Sequence, residues 1–349
     1  MELKKIHISD IGKIVTGKTP RTSVAENYNG YIPFLTPSDD LSHKSAPKTT
    51  KTLTEQGLNE VRNCLLPSRS ICVSCIGSDL GKVVMIKEPT VTNQQFNSII
   101  PNKNFNADFV YYLMTLVGRE LNYLSKTSTA VPIINKSSFS NYEIEVPDLE
   151  TQNRIASILS SIDSKIELNR RINDNLEQQA QALFKSWFVD FEPFRGGEFV
   201  DSELGLIPKG WRVVSLGEVT KQITEKVGNR EDVTVLSPIN SGELVLSEEY
   251  FTKQVFSKDL SKYLIVNPLS FAYNPARINI GSIGLNTFDF VGCVSPVYVV
   301  FECEPNYQYF FDFFKRTAMF KDEVALRAIG GVRQSLGYND LSLIKTIYP

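Results

Sequence analysis

From Gln152 to Trp187 the chain carries a seam that advances by alternating steps of three and four: Gln152, Ile155, Leu159, Ile162, Ile166, Asn169, Asn173, Leu176, Ala180, Leu183, Trp187. No step slips, and neither Pro nor Gly interrupts the run. A period near 3.5 predicts a helix that presents one stripe to another helix. At 1.5 Å per residue the seam is roughly 50 Å long. Asp148, after Pro147, is placed to cap the helix, and Glu150 puts negative charge in its first turn. Pro193, Gly196 and Gly197 stop it. An ordinary long core helix is the alternative. Asn169 and Asn173 inside the seam would fix register and partner choice, or else lie on the surface.

A chain of 349 residues with such a strut in the middle predicts two domains and a connector. Hydrophobic residues make up 42% and charged residues 22%, ordinary values for a globular protein. The first seven residues hold no apolar run and no stretch approaches a membrane span, so a cytoplasmic protein with no membrane partner is expected. Five cysteines and two histidines argue against a metal site. Cys72 and Cys75 have ligand spacing, but the run Ser70-Ile71-Cys72-Val73-Ser74-Cys75-Ile76 reads as a strand with the two thiols on opposite faces. The net charge of −2 is too small for a tight DNA binder acting alone.

The rest of the chain is written twice. Residues 1–147 have the punctuation of a mixed α/β domain: short apolar runs, a helix start at Thr54, a glycine turn at Gly77-Ser78-Asp79-Leu80-Gly81, and helical spacing at Val110, Leu113, Met114, Val117 and Leu121. Residues 191–207 read as a Pro/Gly linker. From 208 the pattern restarts. Residues 267–277 echo 66–76, 291–296 echo 91–96, 309–320 echo the helix at 108–121, and 344–349 echo 142–147. The predicted fold is α/β (α+β): two similar mixed domains, 1–147 and 208–349, joined by a long coiled-coil-type helix at 148–190. Pro147 leads into that helix, whereas Pro349 is followed by nothing. The seam then needs a helix from another chain or folds back on its own domains; the former is the expectation.

The run from Val146 to Asp163, and its continuation through Lys165-Ile166-Glu167-Leu168-Asn169 to Trp187-Phe188-Val189-Asp190-Phe191, resembles the central helix of specificity (S) subunits of type I restriction–modification systems. The repeated domains resemble that family's target recognition domains, with Ser74-Cys75-Ile76-Gly77, Gly81-Lys82 and Asn93-Gln94-Gln95 as recurring stretches. The resemblance implies a non-catalytic subunit on double-stranded DNA, each domain reading half of a split site while the helix sets their separation. Methyltransferase (M) subunits would dock on the helix and restriction (R) subunits would join the assembly. S-adenosylmethionine, ATP and Mg would be bound by those partners and none by this chain. Adenine-N6 methylation and ATP-dependent cleavage would belong to the complex. S subunits usually carry a second, distal helix, which this sequence departs from.

The residues themselves offer no competing chemistry. The nearest approach to an Asn-Pro-Pro-aromatic methyltransferase motif, Asn274-Pro275-Ala276-Arg277, lacks the second proline and the aromatic. Gly281-Ser282-Ile283-Gly284 is not a dinucleotide loop, and no Walker A lysine loop occurs. Asp39-Asp40 and Glu248-Glu249 read as solvated turns or strand edges rather than nuclease metal ligands. For DNA contact, polar loops are the candidates: Thr36, Ser38, Ser78, Lys82, Asn93, Gln94, Gln95, Lys126 and Ser128 in the first domain, and Asn274, Arg277, Ser295, Arg327, Arg333 and Gln334 in the second. Asn and Gln can pair with adenine and Arg with guanine, while Ser, Thr and Lys more often hold phosphates. The plain alternative for each is a turn residue bonding its own backbone. Leu183, Phe184, Trp187 and Phe188 form a bulky cluster at the helix end that packs on the second domain or docks a partner. A coiled-coil scaffold with duplicated protein-binding domains is the competing function.

Overall fold

The computed structural model describes residues 3–45, 48–77, 79–125, 133–251, 255–328 and 335–349. The chain divides into two compact units, Met1–Asn173 and Asp174–Pro349.

The first unit runs β1 (Lys4–His7), α1 (Ile8–Ile11), β2 (Gly12–Thr16), β3 (Tyr28–Leu35), β4 (Lys51–Leu53), α2 (Glu55–Val61), β5 (Leu65–Leu66), β6 (Ile71–Ser74), β7 (Val83–Met85), β8 (Thr90–Thr92), β9 (Phe96–Pro101), α3 (Ala107–Ser125), α4 (Lys136–Ser140), β10 (Glu143–Val146) and the long helix α5 (Leu149–Phe188). Two four-stranded sheets, ordered β2-β9-β6-β7 and β4-β3-β8-β5, lie beside a small β1-β10 pair. β6 is buried on both faces, and its alternation builds two cores at once. Ile71, Val73 and Cys75 point into the cluster shared with Val110, Met114 and Val117 of α3. Cys72 points the other way, among Phe34, Leu53, Leu66, Val84 and Phe96. The two thiols therefore sit in separate cores, where burial pushes Cys72 to about 12 and Cys75 to about 11. α3 crosses the β6–β7 turn at a double glycine. A Cβ on Gly118 would lie 2.1 Å from the Gly81 carbonyl oxygen, and Gly81 also has φ +88°. Thr54 caps α2 by accepting the Gly57 N–H at 3.2 Å.

The second unit runs β11 (Phe199–Ser202), β12 (Gly205–Pro208), β13 (Arg212–Ser215), α6 (Leu216–Val219), β14 (Thr220–Ile223), β15 (Thr234–Pro238), β16 (Leu244–Leu246), α7 (Ser247–Tyr250), β17 (Leu264–Val266), β18 (Phe271–Tyr273), β19 (Ile283–Leu285), β20 (Gly292–Val294), β21 (Val299–Cys303), α8 (Tyr307–Phe314), α9 (Ala318–Arg327), α10 (Tyr338–Ser342) and β22 (Lys345–Tyr348). Its sheets repeat those of the first: β14-β21-β18-β19, β16-β15-β20-β17 and β13-β22. The parallel β3/β8 pair recurs as β15/β20. Even the entry turn repeats: the His7 N–H donates to Asp10 and the Ser215 N–H to Glu218, both at 2.8 Å. The Pro/Gly stretch read as a linker carries a short 3-10 turn at Glu192–Phe194 and the β11–β12 hairpin.

Strand register sharpens the internal repeat. Ile71 pairs with Ile99 as Phe271 pairs with Phe301, and Leu65 faces Val91 as Ile265 faces Cys293. Val91 therefore corresponds to Cys293 rather than Val291, because the β7–β8 connection is two residues longer in the second unit.

α5 starts where its cap predicts. Asp148 accepts the Thr151 N–H at 2.8 Å, which holds its carboxyl below the usual range. Gln152 is locked to the first unit: its amide donates to the Pro147 oxygen at 3.0 Å and accepts from the Asn106 N–H at 3.1 Å. Ala156 is buried and Ile155 packs against the first core. At the other end Phe184 enters the second unit's core, with Phe188 packed beside it. Among the described residues, no helix is long and apolar enough to cross a membrane.

Candidate nucleic-acid interface

β3 and β8 run parallel with Leu35 opposite Thr92, so the segments leaving their carboxyl ends, 36–40 and 93–95, emerge side by side. The Asn93 N–H donates to the Leu35 oxygen at 3.1 Å and ties them together. The loop after β2 joins the same edge, with the Gly17 N–H on the Phe96 oxygen at 3.1 Å and the Lys18 N–H on the Thr92 oxygen at 2.9 Å. Only glycine fits there, since a Cβ on Gly17 would lie 2.1 Å from the Asn93 oxygen. The Thr19 hydroxyl then reaches Gln94 Oε1 at 2.6 Å. The β6–β7 turn completes the edge: the Cys75 N–H donates to the Gln95 oxygen at 2.7 Å. Arg21 pins the 17–21 loop to α2 through Glu60, with its side chain 2.7 Å from Oε1 and its backbone N–H 2.9 Å from Oε2. That side-chain hydrogen bond, chiefly, lowers Glu60 to about 2.

The second unit repeats part of this edge with other side chains, without the Cys75 tie because Pro275 has no N–H to give. The Leu336 N–H meets the Pro275 oxygen at 3.1 Å where the Ile134 N–H meets that of Cys75 at 2.9 Å. The Tyr298 N–H closes on the Ser295 oxygen at 3.0 Å where the Phe96 N–H closes on that of Asn93 at 3.2 Å. Asn93-Gln94-Gln95 is thus matched by Ser295-Pro296-Val297, and Val297 is 74% exposed. One backbone frame carries two different sets of side chains.

The sequence-derived candidates fall out unevenly on this frame. Asn93, Gln94 and Gln95 share one turn. Gln94 is exposed, whereas Asn93 is nearly buried and gives its amide to Gln95 at 2.8 Å. Thr36 is buried and gives its hydroxyl to Asp39 at 3.1 Å, so it braces a turn, while Ser38 is exposed beside it. Lys82 is exposed and pairs with Asp79 at 2.7 Å. In the second unit Arg277 is exposed next to Asn274, whose side chain accepts the Ala276 N–H at 3.0 Å. Ser295 is half-buried on the edge. Arg327 lies on α9 and pairs with Glu323 at 2.9 Å. Ser78, Lys126, Ser128, Arg333 and Gln334 lie outside the described residues.

Sequence reasoning passed over Lys18, Thr19 and Lys226. Strand register makes Lys226 the counterpart of Lys18, since Ile14 faces Ile99 as Gln222 faces Phe301; both are exposed, though Lys18 is tied to Thr92 of β8 and Lys226 bridges Leu264 of β17. The available signal was a basic residue a fixed distance after the opening strand of each repeat. Among the described residues, no group of three His, Cys, Asp or Glu side chains converges as a metal site.

The seam of α5 is largely bare. Leu159 is 36% exposed, Ile162 49%, Ile166 44%, Leu176 57%, Leu183 57% and Trp187 43%. Asn169 and Asn173 are exposed between them, and Ala180 is half-buried. Such a stripe is costly to leave in water and suits a helical partner.

Residues 1–178, just over half of the chain, match the family model described as the type I restriction modification DNA specificity domain. The chain belongs to that family. A specificity subunit of the type I restriction enzyme MjaIX, from Methanocaldococcus jannaschii, is 36% identical over 226 residues, 63% of this chain and 51% of that protein. The HindI specificity subunit of Haemophilus influenzae is 35% identical over 173 residues, covering 48% of this chain and 38% of that one. The matched stretches thus span about half or less of these specificity subunits. The crystal structure of a type I restriction–modification S subunit from M. genitalium aligns over 100% of this chain and 85% of its own, with a TM-score of 0.57 and 14% identity. That likeness places this specificity-family chain in the same mixed α/β fold, with sheeted domains and a long helix.

Proposed function

We propose that this chain is a DNA specificity subunit that supplies recognition and no catalysis to a type I restriction–modification complex. Each unit reads one half of a split double-stranded site through the edge at the carboxyl ends of its parallel strand pair. Methyltransferase subunits, docked along the bare seam, methylate adenine at N6, and restriction subunits cut. S-adenosylmethionine, ATP and Mg act on those partners, in the cytoplasm.

One observation carries the reading: the two units repeat a single sheet order and close the equivalent turn with the same backbone bond, yet present different side chains there. A reader of two unlike half-sites needs that divergence. Gln94, Gln95 and Arg277 are the base-reading candidates, and Lys18, Lys82 and Lys226 suit phosphates.

The test is single-molecule sequencing of host DNA with the gene intact and deleted, scored for N6-methyladenine. A bipartite motif with a fixed gap that disappears on deletion is the expected result. Unchanged methylation, with the partner genes expressed, would sink the proposal.

A further inference from the structure

In each unit a lysine ammonium, half-buried in the first and buried in the second, ties the same loop to the matching helices, with the polarity reversed. In the first unit the lysine is on the loop. Lys44 lies in the 36–50 connection between β3 and β4, with its side chain 17% exposed. Its Nζ donates to the Tyr112 hydroxyl at 2.8 Å and pairs with Asp108 at 2.9 Å, both on α3. It also donates to Ser160 Oγ at 3.0 Å on α5, where Asp163 lies 3.8 Å away. Tyr112 closes the ring by donating to Asp163 at 2.5 Å. Burial works to lower the Lys44 pKa; the hydrogen bonds with Tyr112 and Asp108 outweigh it, so the ammonium is held charged. The adjoining His43 meets Arg170, one helical stretch further along α5, at 2.9 Å.

In the second unit the lysine is on the helix. Lys315, the residue after α8, has a side chain only 2% exposed and pairs with Asp312 at 2.8 Å. Its Nζ donates to the Gly242 oxygen at 2.7 Å and the Ile283 oxygen at 3.0 Å. Gly242 lies in the β15–β16 connection, the counterpart of the loop that carries Lys44. The next residue, Arg316, pairs with Glu177 on α5. Each unit therefore links its loop to the helix that follows the sheets, and through that helix to α5.

We propose that Lys44 and Lys315 are positioning residues for DNA reading, each fixing its own unit's loop against the helices and so governing discrimination at one half-site only. The first loop leaves β3 at Thr36, beside Asn93, and Asp39 closes its base by accepting from Thr36 and Thr50. An ammonium whose three protons all meet fixed acceptors holds that loop in one register. Removing the Lys44 ammonium takes away the loop's side-chain tie to α3 and α5 and leaves Asp163 without its cation, while Asp108 keeps Arg69 and the Met85 N–H still holds the residue 44 backbone oxygen at 2.7 Å.

This rests on the specificity-subunit reading, and the test separates the two. Lys44→Met, Lys44→Arg, Lys315→Met and Ser160→Ala are each expressed with the partner genes in a host lacking the wild-type gene. Chromosomal N6-methyladenine motifs are then read by single-molecule sequencing. Lys44→Met should relax one half of the bipartite motif by about tenfold, the scale of one well-read base pair. Lys315→Met should relax the other half. Ser160→Ala should weaken the same half as Lys44→Met, and Lys44→Arg should keep the wild-type motif. Uniformly reduced methylation with both halves sharp would show a merely structural role and overturn the proposal. If Lys44→Met fails to fold, Ser160→Ala decides: an unaltered motif overturns it. A wild-type chain that yields no bipartite motif sinks the parent reading, and this proposal with it.

Discussion

Leu183 and Phe184 are adjacent on α5 and should behave as opposites. Phe184 is 8% exposed, with ring centroids 5.0 Å from Phe188, 5.1 Å from Phe310 and 5.6 Å from Phe313. Cutting such a ring to alanine costs about 3–5 kcal/mol. The site borders a cavity of about 580 Å³, so fewer contacts are lost than in a closed core and the low end, about 3 kcal/mol, applies. For a unit of this size that lowers the melting midpoint by about 6–12 °C. Leu183 is 57% exposed, and its loss should cost less than about 1 kcal/mol. Thermal denaturation of the full chain by circular dichroism measures both. Leu183→Ala should melt with the wild type yet recover less methyltransferase subunit on co-purification, because its side chain belongs to the seam. If Leu183→Ala melted as early as Phe184→Ala, the seam would be packed within the chain and the division of labour along α5 would be refuted.

Other expectations are more local. Gly118→Ala must push α3 off the Gly81 carbonyl and should destabilise the chain by about 1–3 kcal/mol in urea denaturation. Glu60 should titrate near 2 by NMR, and Arg21→Ala should return it toward the ordinary carboxylate range. Its folded pKa is depressed, so its contribution is present above the unfolded value and fades as pH falls from about 4.5 toward 2. Lys18→Ala and Lys226→Ala should each reduce the salt slope of DNA binding by about one while leaving the motif unchanged. Cys72 and Cys75, raised to about 12 and 11 by burial, should resist alkylation at pH 8 until the chain unfolds.

The elements legible in the sequence are those set by local chemistry. Thr54 and Asp148 cap helices where a hydroxyl or carboxylate precedes a good helix former. β6 reads as a strand because its apolar residues have partners on both faces. The repeat itself was visible, but not its exact register, since a two-residue difference between β7 and β8 leaves no mark in composition. The edge was harder still. Lys18 comes beside Gln94 only through pairing across more than 70 residues, and nothing near Lys18 announces it. Thr36 has the composition of a contact and the position of a brace, because Asp39 three residues on claims its hydroxyl. Lys44 and Lys315 do the same work from opposite sides of a contact, so no aligned pair of residues reveals it.

The turns at 93–95 and 295–297 are closed by the same main-chain bond, Phe96 N–H to the Asn93 oxygen in one and Tyr298 N–H to the Ser295 oxygen in the other. That closure tolerates Gln94-Gln95 in one unit and Pro296-Val297 in the other, although Asn93 also braces the first turn by accepting the Gln95 N–H at 3.1 Å. If these turns read DNA as proposed, the protein partly separates what it recognises from what keeps it folded. On that reading, a single-base change at the codon of an exposed turn residue such as Gln94 or Val297 would alter the preferred sequence at little cost in stability. Such a lineage can drift between targets one residue at a time, and a library randomised at those positions should remain largely well folded.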